Sequence, residues 1–421
     1  MIDALQNAGQ ITFEDCSIFK RGDAAGTNVI NLVDGIVIYE DIFSPFITGR
    51  LSLRDTHDLP NLFGRSGNDV LRLKLFTPSI DKSQYIQGDF LIYKMADRAV
   101  VKDRTQIYNY YFASIELLVD INTRLSKQYQ GAGHTVVRNI YSASLGSNKK
   151  LISDNCKNTV SYVSNFWTPT KNFNFISDHS VGPTGSPTMM FFENRDGFNF
   201  RDVSGIIGNK KSAMQTFSGS DFTADVVTEG SKMGAVTRNP KQDYSSIHGI
   251  RVDVTYDYLK DYTDGAIKSK LYSVDPTTKK IRWNTFSLNN WAADGNKQKL
   301  YSREVIEASN PVIMSKNRGY GTFGLRESSN YQTTQHRVGY MRLLQASKIE
   351  IDCYGRTDYT VGKRVTLELN QLKSIVKTDN YNDILDKLYS GAYIVTAVSH
   401  QINRESHKCT LELCKESTLL V

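Results

Sequence analysis

Residues 46–55 read FITGRLSLRD, and the alternation within them decides the fold class. Leu51 and Leu53 alternate with Ser52 and Arg54, the period-2 signature of a strand with one face in a core. The pattern recurs on both sides. ITFEDCSIF (11–19) and VINLVDGIVIYEDIF (29–43) precede it and DVLRLKLFT (69–77) follows, with Gly, Pro, Asp and Asn between the runs, as in a meander. GDFLIYKMADRAV (88–100) and TQIYNYYFAS (105–114) flank the polar turn VKDR and read as a hairpin. In SIELLVDINTRLSKQYQG (114–131) the period becomes helical. Leu118, Ile121 and Leu125 share a stripe, Ser114 is the expected N-cap, Glu116 suits the positive helix start, and Arg124, Lys127 and Gly131 mark the end. The first unit is therefore a set of antiparallel strands closed by one helix.

The last 75 or so residues repeat this character: SKIEIDCYG, VGKRVTLELN, and a hairpin of GAYIVTAVSHQI and HKCTLELCK around Asn403-Arg404-Glu405-Ser406. HRVGYMRLLQA (336–346) supplies a helix, with Val338, Met341 and Leu344 recurring every three residues. Further strands are expected in IHGIRVDVTYDYL (247–259) and AIKSKLYSV (266–274), the latter before a turn at Asp275-Pro276-Thr277. Between these units lie helices around 136–145 (Val137, Ile140, Tyr141) and in FWTPTKNFNFISDHS, where Pro169 stands at a helix start. Residues 208–247 and 283–331, the latter with Trp283 and Trp291, carry little pattern and read as loops or extensions.

With 421 residues the chain exceeds one ordinary core, and its 23 tyrosines and 19 phenylalanines favour strands. The balance of 51 basic against 44 acidic residues gives +7 without any basic block, which argues against direct nucleic-acid readout. Five cysteines (Cys16, Cys156, Cys353, Cys409, Cys414) are scattered without a C-x-x-C and are expected as buried free thiols of a reducing cytoplasm. The N-terminus lacks the pattern of a signal peptide and no run approaches ~20 apolar residues, so neither export nor membrane insertion is expected.

Enzyme signatures are absent: there is no H-E-x-x-H, no G-x-S-x-G and no G-x-G-x-x-G. Gly208-Asn209-Lys210-Lys211-Ser212 resembles a phosphate loop but lacks its first glycine. The seven histidines are isolated along the sequence and are expected in surface or capping roles. Cys409 follows His407 by two residues on one strand face, but a nucleophile there needs an orienting third group. No catalytic, cofactor-binding or metal-ligating residue is expected.

MMFFENRDGFNFRDV (189–203) is the sharpest local test, because its three carboxylates invite an acidic-site reading. Asn194-Arg195-Asp196-Gly197 has the residues of a type I turn with a glycine bulge. That turn pairs Asn194 with Phe198 and Phe192 with Phe200, making Phe192, Phe198 and Phe200 core. Glu193 then lies exposed and diagonal to Arg201, Asp196 sits at the tip, and Asp202 points to another face. Three acids pointing three ways hold no single ion.

The order of these elements, with FITGRLSLRD, IELLVDINTRLSKQYQG, FWTPTKNFNF, MMFFENRDGFNF, SKIEIDCYGRTDYTVGKRVTLEL and AYIVTAVSHQI, resembles the baseplate hub proteins of contractile-tailed phages, whose type member is the T-even hub. The resemblance implies a mainly β fold with α+β parts: two tube-like antiparallel β-barrel domains, each with a flanking helix, at 1–130 and at 246–275 with 336–421. A hub-specific α+β domain would be inserted at 131–245 and 276–335. It implies a structural homotrimer, a ring of pseudo-sixfold symmetry that adapts a trimeric spike to the tail tube and leaves a channel for DNA. The implied partners are the spike, tube or tube-initiator proteins, the tape-measure protein and baseplate wedge proteins. DNA would pass without sequence-specific binding, and the location would be the virion's tail baseplate, assembled in the host cytoplasm. The T-even type continues past its second barrel, whereas this sequence ends soon after LELCKES, so spike contacts are expected on other surfaces. The spike base of a bacterial type VI secretion machine is the nearest alternative, and a tail-borne cell-wall hydrolase is a more distant one.

Overall fold

The structure is a computed structural model and describes residues 7–23, 26–63, 67–78, 80–81, 84–102, 104–209, 213–218, 244–254, 257–275, 279–288, 303–317, 333–371, 385–386 and 388–415. The turn residues Pro276 and Thr277, Lys210 to Ser212 of the phosphate-loop lookalike, Trp291, and most of 208–247 and 283–331 lie outside the described residues.

The N-terminal strands are β1 (Thr12–Lys20), β2 (Thr27–Asn28), β3 (Val33–Asp41), β4 (Thr48–Asp55), β5 (Asp69–Phe76), β6 (Ile86–Lys102) and β7 (Thr105–Ser114). The middle contributes β8 (Leu125–Ala132), β9 (Leu151–Ser153), β10 (Thr159–Trp167), β11 (Met189–Asn194), β12 (Gly197–Asp202) and β13 (Ala213–Ser218). After these come β14 (Ile247–Val254), β15 (Lys268–Asp275), β16 (Lys280–Ser287), β17 (Val312–Asn317), β18 (Lys348–Tyr354), β19 (Arg364–Glu368), β20 (Gly391–Ile402) and β21 (His407–Cys414).

One 13-stranded sheet dominates, in the order β14-β18-β21-β20-β3-β4-β7-β6-β5-β1-β2, with β19 also on β20 and β13 on β19. The mainly β class with α+β parts is thus what the chain has. The strand sets expected as two separate barrels are continuous, because β3 pairs with β20 (Ile38 opposite His400), and among the described residues the sheet does not close on itself. In β4 the expected alternation is present: Leu51 and Leu53 are fully buried in the N-terminal core with Ile36, Leu71, Leu73 and Phe112. Each such side chain is worth about 1.5–3 kcal/mol of burial. Gly49 has no substitute in this register, since a Cβ there would come 2.3 Å from the Phe112 ring and 2.6 Å from the Val37 carbonyl. A second core gathers Ile349, Ile351, Val365, Leu367, Val395, Leu411 and Leu413.

Four local expectations change. The helix read across 114–131 spans only Glu116–Asn122, and the chain then enters β8, which pairs with β10. Cross-strand pairing overrides the helical spacing of Leu125. The helix is also turned from its apolar stripe: Ile121 is exposed, whereas Glu116 and Asp120 are buried. Asp120 Oδ1 accepts from the Thr170 N–H at 2.6 Å, capping the helix Pro169–His179 whose start Pro169 marked. Ser114 is not the N-cap; that position is Ile115. Finally, β15 leaves the large sheet and pairs with β16 and β17, where Ile267, Phe286, Leu288, Ile306 and Leu343 form a core distinct from either main one.

Candidate functional site

The hairpin β11–β12 is present, but its register is one residue from the expected one. Asn194 pairs with Gly197, Glu193 with Phe198, Phe192 with Asn199 and Phe191 with Phe200. Phe191, Phe198 and Phe200 therefore share a face in the core of the middle region, while Phe192 points the other way, into the C-terminal core. The reason is that all six β11 residues are buried. A strand covered on both faces offers no polar alternation to fix register, so packing decides it. Gly197 does take the expected positive φ, at 122°.

This register buries Glu193 instead of exposing it. Its carboxylate accepts from Lys149 Nζ at 2.7 Å, Ser114 Oγ at 2.5 Å and the Ile47 N–H at 3.0 Å. Burial pushes the Glu193 carboxyl above its usual range, against the pull of Lys149. Lys149 also pairs with Glu116 at 2.8 Å. Arg201 instead pairs with Asp154 at 3.3 Å. Asp196 faces Lys363 (2.8 Å) and Arg195 (2.7 Å), which hold it below the usual range despite burial. Asp202 accepts from Thr184 Oγ1 at 2.6 Å and from Thr188. The three acids serve three separate sets of partners and do not form one acidic site.

What the hairpin does is join the two halves of the molecule. Glu193 holds Ile47 and Ser114 of the N-terminal strands, while Asn194 Nδ2 donates to the Val361 carbonyl at 3.1 Å. Arg195 Nη1 donates to the Gln84 carbonyl at 3.3 Å and the Thr357 carbonyl at 3.0 Å, spanning the seam. Alongside, the buried Glu40 accepts from Thr360 Oγ1 and from the Val361 N–H at 3.1 Å. Burial raises the Glu40 carboxyl to about 7, with those two hydrogen bonds acting in the opposite direction.

A second cluster lies on β20–β21. His400 stands opposite Cys409, and His407 precedes Cys409 by two residues on the same face. His400 Nδ1 is 3.0 Å from His407 Nε2, and Cys409 Sγ is 3.1 Å from His400 Nδ1 and 3.4 Å from His407 Nε2. All three residues are fully or almost fully buried, which corrects the expected surface or capping role for these two histidines. Burial lowers His400 to about 4 and His407 well below the imidazole range, and raises Cys409 well above the thiol range. His400 is the third group that the His407/Cys409 pair lacked in sequence. The remaining cysteines are free thiols, buried except for the half-buried Cys156.

Apolar side chains are also exposed along the large sheet. Ile250 and Val252 lie on β14, the strand that ends the sheet path, and Tyr93, Val100 and Val101 lie on the long β6. Among the described residues no helix is long and apolar enough to cross a membrane.

No protein-family model matches the chain and no curated protein matches its sequence. Solved structures do match. A tail protein from Neisseria meningitidis MC58 superposes at a TM-score of 0.55 and 9% identity, covering 96% of each chain. The 43 kDa tail protein of prophage MuSo2 from Shewanella oneidensis gives 0.49 at 7% identity, over 97% of this chain and 100% of its own. A prophage tail protein from Listeria monocytogenes EGD-e gives 0.49 at 7% identity, over 96% and 94%. The first of these shows the fold: nearly the whole chain shares the architecture of that Neisseria protein.

Proposed function

We propose that the chain is a structural subunit of a phage tail baseplate hub, assembling as a homotrimeric ring that joins a trimeric spike to the tail tube. The observation that carries this reading is the joining of N-terminal and C-terminal strand sets, edge to edge, in one sheet that is open among the described residues. Two β units per chain and three chains present six units to a hexameric tube and three chains to a trimeric spike. Among the described residues the sheet path ends at β14 with Ile250 and Val252 exposed, an edge that a neighbouring subunit would cover. Such a ring works by geometry and needs no catalytic group. The channel would pass DNA without gripping it, so its lining is neutral or acidic despite the overall +7.

Analytical sedimentation of the purified chain, alone and with its cognate spike, tests the reading. A trimer, or a monomer that trimerises with the spike, is expected; a stable dimer overturns it. A peptidoglycan zymogram separates the hydrolase reading, and no clearing is expected.

A further inference from the structure

The seam holds a group of side chains that the hub reading does not use. His400, His407 and Cys409 bring three ligand atoms of metal-binding type together in a buried layer of the sheet. The chain places them by register alone: a four-residue turn at 403–406 sets Ile402 opposite His407, and so His400 opposite Cys409. The rings are held before any ligand arrives. Gly355 packs flat against His407, where a Cβ would come 2.2 Å from the ring. The His407 backbone is pinned on both sides, donating to the Gly9 carbonyl at 2.7 Å and accepting from the Gly355 N–H at 2.8 Å.

The outward ring nitrogens, His400 Nε2 and His407 Nδ1, are buried without a hydrogen-bond partner and stay so with or without an ion, so the site rests on the inward atoms alone. The inward atoms have a different complementarity. With sides of 3.0, 3.1 and 3.4 Å, a point about 1.8 Å from all three lies in their plane. An ion at the roughly 2.0–2.3 Å of metal–nitrogen and metal–sulfur bonds therefore sits about 0.8–1.4 Å off that plane, at the apex of a shallow pyramid.

We propose that His400, His407 and Cys409 are a three-ligand site for a thiophilic d10 cation, copper(I) or zinc, taken up as the β20–β21 hairpin folds. Two imidazoles and one thiolate are the donor set such ions select. Among the described residues no fourth His, Cys, Asp or Glu joins the group. Three-coordination and charge both favour copper(I), which one thiolate neutralises among buried side chains, whereas zinc leaves one positive charge. Glu40 could answer that charge, since it lies on the same sheet face, opposite Val398 and two residues from the partner of His400. Binding releases the thiol proton and ties strand to strand beside the β3–β20 junction.

The test uses the full chain, unfolded in guanidinium with a chelator and refolded anaerobically with zinc or with copper(I), each set against a chromophoric competitor. One equivalent per chain is expected to resist the competitor, and Cys409→Ser and His407→Gln should each weaken retention by at least about 100-fold. Cys16→Ser, in the other core, should retain the ion. Should the site variants fail to refold, cobalt(II) on the unaltered chain decides, because a single thiolate ligand gives a sulfur-to-cobalt charge-transfer band that alkylation of the unfolded chain abolishes. Retention of copper(I) with loss of zinc fixes the three-coordinate form, and the reverse fixes a zinc site completed by a further ligand. Failure to retain either ion at one equivalent, or equal retention by Cys409→Ser, overturns the proposal. Neither result bears on the trimer.

Discussion

Replacing Lys149 by methionine isolates the electrostatics of the hairpin seam. The substitution keeps the aliphatic stem but removes the ammonium that lies 2.7 Å from Glu193 and 2.8 Å from Glu116. Glu193 is 2% exposed and keeps only the Ile47 N–H and the Ser114 hydroxyl as donors, so it becomes a buried carboxylate without a counter-charge. Breaking a buried pair from one side costs about 3–5 kcal/mol, and the 30% exposure of Lys149 argues for the lower end, about 3 kcal/mol at pH 7.5. Burial already holds the Glu193 carboxyl above its usual value, and loss of Lys149 raises it further. A carboxyl with a raised folded pKa contributes stability below its unfolded pKa and loses it as pH rises through the folded one. The penalty of Lys149→Met should therefore shrink as pH falls from 7.5 toward 5. Glu193→Gln keeps an acceptor for both donors and should cost about 1 kcal/mol, and the double variant should lie nearer to it than to the sum. Urea denaturation at the two pH values measures all three. A Lys149→Met penalty below about 1 kcal/mol that ignores pH, or strict additivity in the double variant, refutes the reasoning.

Other expectations follow from the same contacts. Glu40→Gln should flatten the pH profile of stability. The folded carboxyl titrates near 7 instead of 4.5, so its contribution is present below pH 4.5 and lost by pH 7, and the variant should gain up to about 3 kcal/mol at pH 8 but little at pH 4.5; equal effects at both would sink the assignment. Gly197→Ala should destabilise by about 1–3 kcal/mol, because φ is 122° and the new Cβ would stand 2.4 Å from the Lys150 carbonyl; an unchanged melting temperature would contradict the register. Ile250→Lys on the exposed face of β14 should leave the monomer's melting temperature within a few degrees while lowering the fraction of trimer in sedimentation; a full trimer would remove β14 from the interface.

The sequence by itself determined the mainly β class, the strand runs and several markers of element ends, because these depend on neighbours a few residues away. FITGRLSLRD alternates because one face of β4 is core, and Pro169 and Gly197 mark a helix start and a positive φ whatever surrounds them. Part of the histidine cluster was also legible: the turn at 403–406 implies the pairing that brings His400 opposite Cys409. Tertiary structure decided what periodicity cannot carry. A hairpin buried on both faces, as β11–β12 is, has its register set by the cores on either side. Helix Glu116–Asn122 buries its acids and exposes Ile121 because Lys149 and the start of helix Pro169–His179 supply their partners. The joining of the two strand sets through β3 and β20 depends on residues more than 350 positions apart in the chain, a distance over which no local pattern can specify a partner.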